Sequence, residues 1–317
     1  MIHVVSDRFS SQGLGSVLSE IFEKYVSSAP GFPNGTRGQK LVSVADFSGS
    51  HAGSRYDTYA FLLLDLDAND WWFQAQRAFR QEILKSRRLS FKALNDRFRR
   101  SALPVFINAA NEIEGALIVV AVDKNTGSLF ERSDDDEARE LLGVWKKSVQ
   151  EQVLRVAHLG SYLVAGFSAP NQNVLWIVDQ DQIAANDGQL TQLTKIVAAV
   201  GVHYLKHDLG HLRCATTLSD DGSLAIEDLA AISDLAAGAF AEYFNAVTRQ
   251  GRFPVKGVIS LEPVGLSPKT RSLCRWLLDP GHPLSRLFLV LDRPNDGAGL
   301  RASKIKFEPY EPLVKTC

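Results

Sequence analysis

The run Val174-Leu175-Trp176-Ile177-Val178 constrains the fold more than any other stretch of the chain. It is unbroken apolar sequence, too short for a stable helix, and it stops at Asp179. Such a segment reads as a strand buried on both faces, which needs strands at its edges and helices above and below. Gly115 to Val122 has the same character. Lys40 to Phe47 ends at Ser48-Gly49, and a strand from about Tyr56 to Leu66 follows a Gly-containing turn. The short spacing predicts an antiparallel hairpin.

Apolar residues at three- and four-residue spacing predict helices between the strands. One starts near Asp70 with Trp72, Ala75, Phe79 and Ile83 on one face. Others cover about Ala102 to Ile113, Asp134 to Leu163, Gln189 to Tyr204 and Glu227 to Thr248. Asp134-Asp135-Asp136-Glu137 suits a helix start, where the dipole favours negative charge. Gly210 to Thr217 reads as a further strand. Leu287 to Leu291 and Ala302 to Phe307 read as a C-terminal hairpin across Pro294-Asn295-Asp296-Gly297. Strands interleaved with helices imply a layered α/β domain. Residues 1–39 are an N-terminal extension and 40–250 the domain, with a helical insertion at about 70–113 between the second and third strands. Residues 251–317 form a C-terminal extension packed on the same domain.

The formal net charge of -1 excludes a global basic field, so a nucleic-acid partner must be held by a local basic surface. Three cysteines, Cys214, Cys274 and Cys317, are no disulfide framework and point to a reducing compartment. The start of the chain lacks the pattern of a signal peptide, and the longest apolar stretches are too short to span a bilayer. The expectation is a soluble, cytoplasmic protein with no membrane partner.

Three carboxylates occupy telling places. Asp46 ends the first strand, Asp179 ends the buried central strand, and Asp234 lies in the last core helix. Ligands of open α/β sheets bind beyond strand ends, so Asp46, Asp179 and Asp234 are expected to meet there. Clustered carboxylates repel one another and call for a cation. An all-oxygen donor set suits Mg²⁺ or Mn²⁺, and a pair of such ions can drive phosphodiester cleavage. Asp181 is a further metal candidate, with Asp187, Glu137, Glu140 and Glu151 in reserve.

The order of elements resembles the ribonuclease H-like fold, with a mixed sheet flanked by helices. More narrowly, the chain is similar to the bacterial family of unknown function numbered 3800. That family opens with a strand ending Asp-Glu-Ser-Gly and closes with a Leu-Ala-Asp-Leu-Ile-Ala-Gly-type helix. The matching stretches here are Asp46-Phe47-Ser48-Gly49 and Ser233-Asp234-Leu235-Ala236-Ala237-Gly238, with Asp179 ending the middle strand. The likeness covers roughly residues 40–250. Phe47 stands where the family places Glu, which removes one candidate ligand. The resemblance implies a divalent-metal-dependent nuclease with Asp46, Asp179 and Asp234 as catalytic and metal-holding residues.

Arg55, Arg77, Arg80, Arg87 and Arg88 are the candidate contacts to a nucleic-acid backbone, with aromatic residues interleaved along the basic stretch. A reading from another class is a catalytically silent ribonuclease H-like scaffold that binds a protein or nucleic-acid partner, in a bacterial defence or mobile-element setting. His203, His207 and His211 are spaced by four, but Gly210 is expected to end the helix before His211.

Overall fold

A computed structural model of the chain describes residues 13–25, 38–130, 140–251, 258–260, 265–293 and 299–308. The core is a seven-stranded mixed sheet. Strands β1 (Lys40–Ser48), β2 (Tyr56–Asp65) and β3 (Gly115–Asp123) form an antiparallel meander. On its outer side β4 (Asn173–Val178) lies parallel to β1, and β5 (Leu212–Thr216) parallel to β4. On the other side β7 (Leu284–Asp292) runs parallel to β3 and pairs antiparallel with β8 (Arg301–Lys304). The spatial order is β5-β4-β1-β2-β3-β7-β8. Strands β6 (Val258–Ser260) and β9 (Lys306–Glu308) make a separate parallel pair.

Helices cover both faces of the sheet. One face carries α1 (Leu14–Tyr25), α4 (Lys147–Phe167) and α5 (Asp187–Tyr204), packed on Leu41, Ala45, Trp176 and Val178. The opposite face carries α2 (Asp70–Phe79), α3 (Arg97–Asn111), α6 (Ala225–Arg249) and α7 (Pro268–Leu278), packed on Val42, Val44 and Ile177. Because strand side chains alternate, this division sets which face each strand-end residue occupies.

Most expected elements are present within a few residues. The segment between β2 and β3 is helical, and β7 and β8 pair antiparallel, although residues 294–298 of their connection lie outside the described residues. The long helix expected from Asp134 is shorter. Residues 131–139 lie outside the described residues, and α4 starts only at Lys147. Gly143 to Lys146 break the path, and the buried Trp145 donates its indole N–H to the Ile183 carbonyl. One apolar period thus spans two pieces of structure. Helix α7 was not anticipated. Its cap is local: the Ser267 hydroxyl accepts the Thr270 N–H, and Pro268 occupies the first turn.

Candidate functional site

The parallel pairing of β1 and β4 sets Ala45 opposite Val178. The next residues in register are Asp46 and Asp179. By alternation both fall on the face that α6 covers, one strand spacing apart. Helix α6 is held close to that face by two bonds: the Ser233 hydroxyl donates to the Val44 carbonyl (3.1 Å), and the Thr58 hydroxyl donates to the Ala237 carbonyl (2.9 Å). The small side chains of Ser233, Ala236 and Ala237 permit this approach. Asp234 follows Ser233 and so reaches the same end of the sheet.

The electrostatics report the crowding. Burial pushes the Asp46 carboxyl well above the usual carboxylate range, and the charges of Asp234, Asp179 and Asp181 push it further. Burial raises Asp234 to about 6, and the charge of Asp179 adds to this. Asp181, on the loop after β4, rises to about 7 through burial, with Asp179 contributing. The few bonds to these groups come from backbone or hydroxyl donors: Phe47 N–H to Asp46, Phe91 N–H to Asp234, Ile183 N–H to Asp181, and Gln180 N–H and the Thr217 hydroxyl to Asp179. No lysine or arginine makes a salt bridge to any of the four among the described residues.

The rim is built by the chain between α2 and α3. Phe91 sits on Gly238 of α6, where an added Cβ would come within 2.3 Å of the ring. Its N–H therefore reaches Asp234, and its carbonyl accepts from Lys269, whose ammonium lies 4.1 Å from the Phe91 ring centre. Lys269 partly offsets the raised Asp234 carboxyl. Nearby, Arg88 lies 2.7 Å from Glu227 in the first turn of α6. Arg87 is exposed and lies over the Phe98 ring, 4.3 Å from its centre.

The arginines expected to contact a substrate divide. Arg77, Arg87 and Arg88 are exposed. Arg80 is not available for that role and is corrected here. It is buried, its Nε and Nη2 donate to Asp228, and its Nη1 donates to the carbonyls of Lys85 and Arg87. Every nitrogen of that guanidinium is committed to the fold. Arg55 donates through Nε and Nη2 to Asp123 at the end of β3. Glu227 was not singled out from sequence as a site residue; an acid in a helix's first turn looks like an ordinary dipole partner.

The donor chemistry fits a hard divalent cation: oxygen only, crowded, and with no salt-bridged cation among the described residues. Among the described residues, however, no three His, Cys, Asp or Glu side chains are gathered into a ready ligand set. The site shows charge crowding rather than a finished coordination shell. Phe47 packs its ring against Tyr59, 6.3 Å between centres. Glu151 is bound to Arg155, Glu140 is exposed, and Glu137 lies outside the described residues. Helix α5 ends at Tyr204, so His203, His207 and His211 do not share a helix. A cavity of about 570 Å³ opens at the other end of the sheet, lined by Trp176, Val197, Gly201, Leu205 and Lys206, and none of Asp46, Asp179, Asp181 and Asp234 borders it. Among the described residues no helix is long and apolar enough to cross a membrane. Comparison of the chain with family models, curated proteins and solved structures gives no match.

Proposed function

We propose that the chain is a divalent-metal-dependent nuclease of ribonuclease H-like fold, related to the family numbered 3800. Support for the fold is the antiparallel meander β1-β2-β3 with β4 and β5 added in parallel on the β1 side. The observation that carries the function is the crowding of Asp46 by Asp234, Asp179 and Asp181 at one sheet end, with no cationic side chain salt-bridged to them among the described residues. Asp46, Asp179 and Asp234 would hold Mg²⁺ or Mn²⁺, with Asp181 beside them. Bound there, such ions supply an activated water and stabilisation of the leaving oxygen. The chain's own part is to orient these carboxylates. Backbone N–H groups of Phe47 and Phe91 fix one oxygen of Asp46 and of Asp234, and Thr217 fixes Asp179. Arg87 and Arg88, exposed at the rim, would meet the phosphate backbone, with Arg77 further along α2.

The test is cleavage of a labelled oligonucleotide with Mn²⁺ by the wild-type chain and by Asp46→Asn. Cleavage that needs both the metal and Asp46 supports the reading. Absence of cleavage of both DNA and RNA by folded wild-type protein removes the enzyme. Phe47, an apolar ring where the family places a carboxylate, favours a second reading: a silent scaffold that binds nucleic acid or a protein through the same rim. That scaffold would bind the oligonucleotide without cutting it.

A further inference from the structure

Two arginine–carboxylate pairs tie the basic segment to α6, and they are built differently. Arg80 and Asp228 are both buried, with side-chain exposures of 7% and 0%, and two guanidinium nitrogens donate to the carboxylate. In the second pair Arg88 is 61% exposed while Glu227 is 10% exposed. The Nη2–Oε1 distance is 2.7 Å, yet Glu227 Oε1 is buried without an aligned hydrogen bond. Charge alone holds this pair. Arg88 faces solvent, whereas Glu227 is held on the first turn of a long packed helix.

Glu227 precedes Asp234 by about two helical turns and so lies on the same face of α6. Its carboxyl is raised by burial and by the charge of Asp179, and lowered by Arg88. Glu227 thus pairs with Arg88 and also feels the charge of Asp179. A helix dipole accounts for an acid in this turn, but not for one whose side chain is only 10% exposed, feels the charge of Asp179 and pairs with an exposed arginine.

We infer that Glu227 is a built-in competitor for the substrate phosphate: it holds Arg88 in the free protein, and a nucleic-acid phosphate takes Arg88 from it on binding. The inference rests on the nuclease reading above for the nature of the ligand. It assigns Glu227 a positioning role and makes Arg88 the exchangeable contact. Arg80, locked on Asp228, is the fixed anchor that keeps the segment in place while Arg88 moves.

The competition predicts effects of opposite sign. Glu227→Gln keeps the shape and removes the charge, so Arg88 is released. Arg88→Gln removes the phosphate contact and also leaves the Glu227 carboxylate without its paired arginine. Binding of a labelled DNA hairpin, with a duplex stem and a single-stranded loop, is measured in EDTA so that cleavage plays no part. Melting temperatures of both variants are recorded alongside. Glu227→Gln should tighten binding severalfold. Arg88→Gln should weaken it severalfold and reduce the salt slope by about one. A double variant should bind like Arg88→Gln. If both single variants weaken binding, or neither changes it, the pair is only structural and the inference is wrong. If neither wild type nor Glu227→Gln binds the hairpin at low salt, the nucleic-acid reading itself fails and the inference falls with it.

Discussion

The molecule buries carboxylates in two ways. Asp228 and Asp57 lie inside the fold with cations of their own. Arg80 and Gln76 serve Asp228, while Arg155 and Lys124 serve Asp57. Asp46, Asp179, Asp181 and Asp234 lie at one end of the sheet, and among the described residues only backbone and hydroxyl donors are bonded to them. Both regions pay for desolvation, but only the first compensates it from within. The same chain places arginines against buried acids elsewhere. Among the described residues no arginine or lysine is salt-bridged at the acidic end, where Lys269 only partly offsets Asp234; the proposed function gives that role to a cation from outside.

Substitutions should separate the two regions by the sign of their effect. The largest change is expected at Asp228→Ala, which strands the Arg80 guanidinium without its partner. The cost is about 3–5 kcal/mol, a fall of roughly 10 °C in Tm by calorimetry. Gly238→Ala comes next. The new Cβ meets the Phe91 ring, displaces it from α6 and breaks its bond to Asp234, at about 1–3 kcal/mol. A Tm unchanged by that substitution would show that Phe91 is not seated as described. Asp46→Asn should act in the other direction, raising stability at pH 8 by about 1–2 kcal/mol, because it relieves repulsion.

A further test is the pH dependence of the wild-type chain. The Asp234 and Asp181 carboxyls are raised to about 6 and about 7 in the folded state. Over that interval the folded chain keeps protons that the unfolded chain has already lost. The contribution of these groups to stability therefore declines as pH rises from about 4 through these values. Asp228 is also raised by its burial, against the pull of Arg80. The separating observation is that Asp181→Asn flattens the fall between pH 6 and pH 8, within about 1 pH unit of the Asp181 value. Denaturant melts across the range would show it.

How much of this was legible in the sequence depends on the distance over which each cause acts. Strand ends could be read, because apolar runs such as Val174 to Val178 stop visibly at an acid. The shared face of Asp46 and Asp179 follows from strand alternation once β1 and β4 pair, and the pairing itself is non-local. The burial of Arg80 is hidden in the sequence for the same reason. This arginine sits in a basic run where every arginine looks alike, and its partner Asp228 lies 148 residues away. Glu227 was passed over because a first-turn acid has an adequate local explanation. Helix α7 carried a readable signal, Ser267-Pro268 ahead of Leu273, Cys274, Trp276 and Leu277, but its short apolar face is diluted by Lys269, Arg271 and Arg275.

The central claim is that the acidic end is a cation site, and thermal stability with and without Mn²⁺ at pH 8 tests it most directly. The wild-type chain should gain stability as Mn²⁺ rises, by about 2.7 kcal/mol at a hundredfold excess over Kd. Asp46→Asn should start higher and gain little. A wild-type chain whose Tm is indifferent to Mn²⁺, or an Asp46→Asn variant that responds as strongly, would contradict the account.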